Sequence, residues 1–389
     1  MVHDPAAGSV SAQAAATGLA LFVVIGATVA MFGPTIPAFR STFHLTAAAA
    51  GLLLSGHFAG SLVGTLAPSI LPHRYRGPRR VACAATLCFA LGCLMIGAAP
   101  GWPVAVVGAA VEGAGWGGLV IAFNALFSSG FGAASATMLT LLNAVYGVGA
   151  ILGPAGVALF AARSFRGPFL AAAVAALVLV PAGLALPREE ALPVDDRVEG
   201  HGTGTVSHGL LATFMVAFFL YGGLEVGMGA WQTTHLVAIG FSVAAAATIT
   251  SLFWASFTAG RLIAAPVALW VTPDRLVLGC LAIVSAAVLC ANLDAITPLV
   301  YIACGLALGP VFPLALVWSG RVIQTSQRIT AFVISGDLMG ATVLPALLGQ
   351  LVTSAGVRSL PVSFSLLAAG PLCLLLAVRL GGHAVPSRQ

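Results

Sequence analysis

Twelve long apolar runs dominate this sequence and leave few ways to fold it. A helix that crosses a bilayer needs roughly 20 apolar residues, because the hydrocarbon core is about 30 Å thick and each residue rises about 1.5 Å. Runs of that length fall at about 16–39, 45–70, 80–99, 102–128, 134–161, 168–186, 209–238, 242–271, 275–293, 296–319, 328–354 and 360–379. Short connections rich in Gly, Pro and Arg separate them. Of 389 residues, 59% are hydrophobic and 7% charged, whereas a soluble domain carries about 25% charged residues. Too little polar surface exists to face water. The implied fold class is an all-α membrane protein with twelve transmembrane helices.

Composition excludes several chemistries. The net charge of +5 is no nucleic-acid signature, since the basic residues sit in short loops. All 16 of them are arginine, and without a lysine amine there is no Schiff-base pigment or pyridoxal enzyme. The seven cysteines fall in apolar runs without CxxC or Cys/His spacing, so they read as small apolar fillers. No disulfide, metal or cofactor is implied. The opening "MVHDPAAGSVSAQ" has no basic region before its apolar run and does not read as a cleaved signal peptide.

One connection stands apart. Pro187–His208 holds five acids and two arginines with no apolar run, the composition of a flexible linker. It divides the chain into six-helix halves at 1–186 and 209–389, with 187–208 between them. With the N-terminus inside, eleven arginines fall on inner connections and tails (74, 76, 79, 80, 188, 197, 275, 321, 328, 379 and 388), against four outside (40, 163, 166 and 358). The positive-inside rule then puts both termini and the linker in the cytoplasm. The halves also echo one another. "SGHFAGSLVG" (Ser55–Gly64) aligns with "ASFTAGRLIA" (Ala255–Ala264), and "GAILGP" (Gly149–Pro154) with "GATVLP" (Gly340–Pro345). Such matches point to two parallel repeats.

These features resemble the major facilitator superfamily. The loop "LPHRYRGPRR" is similar to that superfamily's arginine-rich loop, without its acidic residue. "YGGLEVGMGAW" (Tyr221–Trp231), "SLFWASFTAGRL" (Ser251–Leu262), "GAGWGGLVIAFNALF" in the fourth run and "LNAVYGVGAILGP" (Leu141–Pro154) resemble the fucose permease-like branch of fucose–galactose–hexose symporters. The resemblance implies secondary transport in a bacterial cytoplasmic membrane by a monomer without a cofactor. Two departures matter. Proton-coupled sugar symporters of that branch carry an aspartate where Gly33 stands and a glutamate where Val120 stands. Proton symport therefore does not simply carry over.

Four ionisable residues lie inside the runs: Glu112, Glu225, Arg261 and Asp337. Charge at bilayer depth is costly and usually faces the bundle interior or a wet cavity. Tyr221, Glu225 and Gln232 share one stripe at 3.6 residues per turn. By resemblance, that stripe lines a central cavity. Glu225 then reads as a substrate acceptor or proton carrier, or as half of a structural pair with Arg261. Trp231 and Trp116 offer faces for a sugar ring, with Trp254 a third aromatic candidate; each also reads as packing. Asn124 and Asn143 can bind substrate or bond between helices. Glu112 stands in for the missing carboxylate or pairs within its own half. His57 is a packing residue or a titrating substitute. Asp337 suits a gating pair with Arg261 or Arg328, and Arg261 a gate or tether.

The partners implied are a small polar solute, with or without a co-transported proton, and the lipid bilayer; nucleic acid is not among them. The leading expectation is transport of a sugar or related metabolite by alternating access. The alternative is proton-driven efflux of drugs or amphipathic metabolites. A membrane-embedded enzyme needs a Ser–His pair or two aspartates within reach, and the runs supply neither.

Overall fold

A computed structural model describes residues 10–70, 77–161, 164–183, 208–323 and 327–382. The linker up to residue 207 and most of the loop "LPHRYRGPRR" lie outside them. The described residues are mostly helical, with no strand among them. Their order is α1 (Ala12–Phe43), α2 (Ala47–Ile70), α3 (Pro78–Gly97), α4 (Trp102–Ser129), α5 (Ser135–Gly156), α6 (Arg166–Gly183), α7 (His208–Ala238), α8 (Val243–Val267), α9 (Pro273–Ala287), α10 (Thr297–Leu308), α11 (Val311–Ile323), α12 (Gln327–Ala355) and α13 (Leu360–Leu380). Among the described residues, eleven helical segments are long and apolar enough to cross a membrane, and Arg166–Pro181 is a shorter apolar helix. The all-α membrane fold read from hydropathy is the fold observed.

The tenth run differs in detail, being two helices with a break at Gly309–Pro310. Proline lacks the N–H that an α-helix donates to the residue four positions back. Pro310 and Pro313 therefore leave the carbonyls of Leu306 and Gly309 without their usual helical donors.

By contact, the described chain forms two compact units. One holds residues 10–31 and 56–183, the other 32–55 and 208–382. The tip of the α1–α2 hairpin thus belongs with the second unit rather than with the rest of its own helices. Within the first unit, α2 and α4 touch backbone to backbone. A Cβ on Gly60 would collide with the Ala110 carbonyl oxygen, so only glycine permits the approach.

Within the second unit, the same device seats the hairpin tip. A Cβ on Gly33 would collide with the Gly229 carbonyl oxygen of α7. On the other arm, the Ala48 N–H donates to Thr353 Oγ1 at 3.0 Å, and Ser55 Oγ donates to the Thr342 carbonyl at 2.5 Å, both on α12. In this arrangement no side chain fits at Gly33.

Candidate functional site

The seventh span carries several polar residues, and its neighbours decide what each does. Glu225 is part-buried at mid-helix. Its carboxylate interacts with the Tyr221 hydroxyl and with the charge of Arg261 on α8. Asp337 on α12 lies within the fields of both Glu225 and Arg261. Its Oδ1 would be 2.7 Å from a Cβ on Gly222 and has no hydrogen-bond partner among the described residues. Tyr221, Glu225, Arg261 and Asp337, linked in the sequence only as a stripe and as alternative pairs, thus lie on three neighbouring helices, α7, α8 and α12.

The break in the tenth span anchors two of these residues. Arg261 Nε donates to the Gly309 carbonyl at 3.0 Å, the acceptor that Pro313 leaves free. Its guanidinium also lies 4.6 Å from the Phe257 ring centroid. The Tyr221 hydroxyl donates to the adjacent Leu308 carbonyl at 3.0 Å. Among the described residues, no ion pair within 4.0 Å joins Arg261 to Glu225 or Asp337. Arg261 is thus a tether to the broken helix with two carboxylates close by. The "GPVFP" spacing (Gly309–Pro313) is the sequence signal for the break, and nothing in sequence assigns Tyr221 and Arg261 to it.

Other candidates scatter. Trp231 is fully buried, and its Nε1–H donates to the Pro345 carbonyl at 3.0 Å. It is packed against α12 and presents no face to a ligand in this arrangement. Gln232 is also fully buried, and among the described residues neither its amide oxygen nor its nitrogen has a hydrogen-bond partner. A buried unsatisfied amide costs about 1–3 kcal/mol. Trp254 is part-buried among Phe253 and Phe257, and its indole N–H has no partner among the described residues.

In the first unit, His57 and Glu112 meet each other. Nδ1 and Oε2 are 2.5 Å apart, and neither side chain has exposed surface. Glu112 is therefore the partner inside its own half, and His57 is not a lone histidine. Trp116 is part-buried with its ring 5.7 Å from His57 and 6.4 Å from Tyr146. Asn124 Nδ2 donates to Val120 O at 2.8 Å and Asn143 Nδ2 to Leu139 O at 2.9 Å, each one turn back on its own helix.

Two cavities of similar size lie one in each unit. One of about 520 Å³ is lined by apolar groups of α1, α5 and α6, including Val23, Met31, Leu152 and Ala171. The other, about 510 Å³, is lined by Arg40, His44 and Thr234 among others. Neither includes Glu225. Among the described residues, no group of three or more His, Cys, Asp or Glu side chains is placed to hold a metal.

Comparison with known proteins agrees with this architecture. A mouse (Mus musculus) protein, sodium-dependent glucose transporter 1A, is 27% identical over 163 residues, which is 39% of this chain and 37% of the relative. The matched segment thus spans little more than a third of that relative's length. Among solved structures, the nucleoside transporter NupG superposes with a TM-score of 0.69 at 16% identity, over 95% of this chain and 98% of its own. The E. coli fucose:proton symporter FucP gives 0.62 at 17% identity, over 93% and 98%. At these identities the likeness speaks for the fold. The family model described as Major Facilitator Superfamily matches residues 18–328. This chain belongs to the Major Facilitator Superfamily, and it is a multi-pass membrane transporter, not an enzyme.

Proposed function

We propose that this protein carries a small polar solute, a sugar or related metabolite, across the bacterial cytoplasmic membrane by alternating access. The observation that carries this reading is Glu225, a part-buried carboxylate at mid-span beside the Tyr221 hydroxyl. An apolar cargo gives no return for the cost of holding a carboxylate at bilayer depth, whereas a hydroxyl-rich solute can donate to it. Gln232, whose amide has no hydrogen-bond partner among the described residues, supplies a further polar group on the same helix. The relatives named above for glucose, nucleosides and fucose all point toward hydroxyl-rich cargo. Both termini face the cytoplasm, and one copy of the chain is the working unit.

The apolar cavity on α1, α5 and α6 favours a second reading, efflux of amphipathic molecules. One experiment separates the two. Thermal unfolding of the detergent-purified protein is followed across sugars, nucleosides, organic acids and cationic drugs, with Glu225→Gln beside the wild type. A ligand of the folded state raises its stability by mass action, about 2.7 kcal/mol at a hundredfold excess over Kd. A sugar or nucleoside shift lost in Glu225→Gln supports polar-solute transport. Shifts with cationic drugs only, equal in both proteins, overturn it.

A further inference from the structure

The cavity of about 510 Å³ in the second unit lies between the α1–α2 turn and the ends of α7 and α12. Pro37, Leu45, Val237 and Val352 give it apolar walls, and Arg40, His44 and Thr234 supply its polar groups. Helix α1 ends there in a Schellman turn, in which the Leu45 N–H donates to the Arg40 carbonyl at 3.0 Å. His44, just before Leu45, takes the left-handed position of that turn with φ 53°. Glycine usually fills that position, because a Cβ is strained there. Here an imidazole stands at the cavity instead.

The polar groups of this cavity have donors to spare. Arg40 makes one long contact, Nε to the Leu45 carbonyl at 3.4 Å. Among the described residues, no carboxylate lies within 4.0 Å of its guanidinium. The other described arginines that the positive-inside rule puts on the same side of the membrane are committed. Arg358 meets Asp294 at 3.2 Å, and Arg166 donates to the Gly97 and Ala99 carbonyls. Thr234 is only 6% exposed, and its hydroxyl has no hydrogen-bond partner among the described residues. Elsewhere in these helices threonine hydroxyls donate to the carbonyl one turn back, as Thr17, Thr28 and Thr86 do. Thr234 makes no such bond. An arginine without a counter-ion among the described residues, an imidazole and a spare buried hydroxyl thus line one cavity.

We propose that this cavity is a binding site for an organic oxyanion, a carboxylate or phosphate ester on a compact apolar body. Arg40 offers its remaining N–H donors in the planar fork that fits two oxygens of such a group. The His44 imidazole and the Thr234 hydroxyl each add a donor. The volume falls in the range of about 300–1,000 Å³ typical of small-molecule sites, more than a bare phosphate fills, so the apolar walls hold the body of the ligand. An uncharged sugar would leave the guanidinium uncompensated, and a metal cation would be repelled by it. The oxyanion has two sources with the same chemistry, a soluble organic acid or ester and a lipid headgroup. Either one touches the hairpin tip through Arg40 and His44 and α7 through Thr234. It binds best with the tip seated, so by linkage its binding favours that seating. Glu225 does not line this cavity, and the site does not rest on the cargo proposed above.

Titration of phenyl phosphate and benzoate into the detergent-purified full chain tests the site, with benzyl alcohol as the uncharged control. Ionic strength is held constant, because salt screens charge. Both anions should raise the unfolding temperature and benzyl alcohol should not. Arg40→Gln should weaken both anions about tenfold or more, the worth of a hydrogen bond to a charged group. Thr234→Val, close in shape, should weaken them severalfold. His44→Gly removes a donor and relieves the left-handed strain. It should weaken binding while the ligand-free protein unfolds no earlier, which separates a lost site from a lost fold. Phosphatidylglycerol added to the micelles identifies the source. If it blocks phenyl phosphate and stabilises the wild type but not Arg40→Gln, the site stands and its ligand is a lipid headgroup. If it does neither while phenyl phosphate binds, the site stands and its ligand is soluble. No shift with either anion, equal shifts in all variants, or a benzyl alcohol shift as large as the anions' overturns the proposal.

Discussion

His57 Nδ1 lies 2.5 Å from Glu112 Oε2, and the two side chains that join the second and fourth spans have no exposed surface. Removing one partner strands the other in a dry site, at a cost of about 3–5 kcal/mol. Replacing both with apolar groups removes the desolvation penalty as well. Glu112→Gln and His57→Leu should each lower the unfolding temperature in detergent markedly. The His57→Leu/Glu112→Leu double variant should recover most of the loss, and a double-mutant cycle measures the coupling.

Gly33 makes a second, steric prediction. A Cβ at Gly33 collides with the Gly229 carbonyl oxygen, and overpacking of this kind costs about 1–3 kcal/mol. Gly33→Ala should disfavour the seating of the hairpin tip on α7. In a background without the native cysteines, a cysteine placed at Ala230 should react faster with a soluble thiol reagent when Gly33→Ala is present. Equal rates in both backgrounds would show that the contact does not hold the tip.

Trp231 should behave as a structural residue. Its buried indole N–H reaches the Pro345 carbonyl at 3.0 Å. Trp231→Phe removes that donor at a cost of about 1–3 kcal/mol. The unfolding temperature should fall while any ligand-induced rise keeps its size and selectivity. A selective loss of the ligand response would place Trp231 in the binding site after all.

Two ion pairs at helix ends should differ in worth. Arg379 Nε meets Asp274 Oδ2 at 3.0 Å, and the Asp274 side chain is only 1% exposed. Arg379→Ala leaves that carboxylate buried and unpaired, so a loss of about 3–5 kcal/mol is expected. Arg358 and Asp294 lie 3.2 Å apart but are 63% and 46% exposed. Arg358→Ala should change stability by no more than about 1 kcal/mol. Unfolding of the two variants side by side checks the contrast.

Hydropathy by itself determined that this is a helical membrane protein and where its spans run, because bilayer thickness sets a length that the apolar runs must meet. The costly charges were legible for the same reason: Glu112, Glu225, Arg261 and Asp337 stand out against apolar sequence. Their partners were not, because a partner is chosen by helix packing across long separations. His57 and Glu112 are 55 residues apart, and Arg261 takes a carbonyl 48 residues away. A backbone carbonyl freed by Pro313 has no side-chain signature, so only the tertiary structure showed that Arg261 is bonded there and not to an acid. The stripe of Tyr221, Glu225 and Gln232 followed from helical periodicity. Neighbouring helices then assigned Tyr221 to Leu308, left Gln232 unsatisfied and sealed Trp231 against Pro345. Local sequence fixes which way a side chain leaves its helix; what it meets depends on the helix beside it.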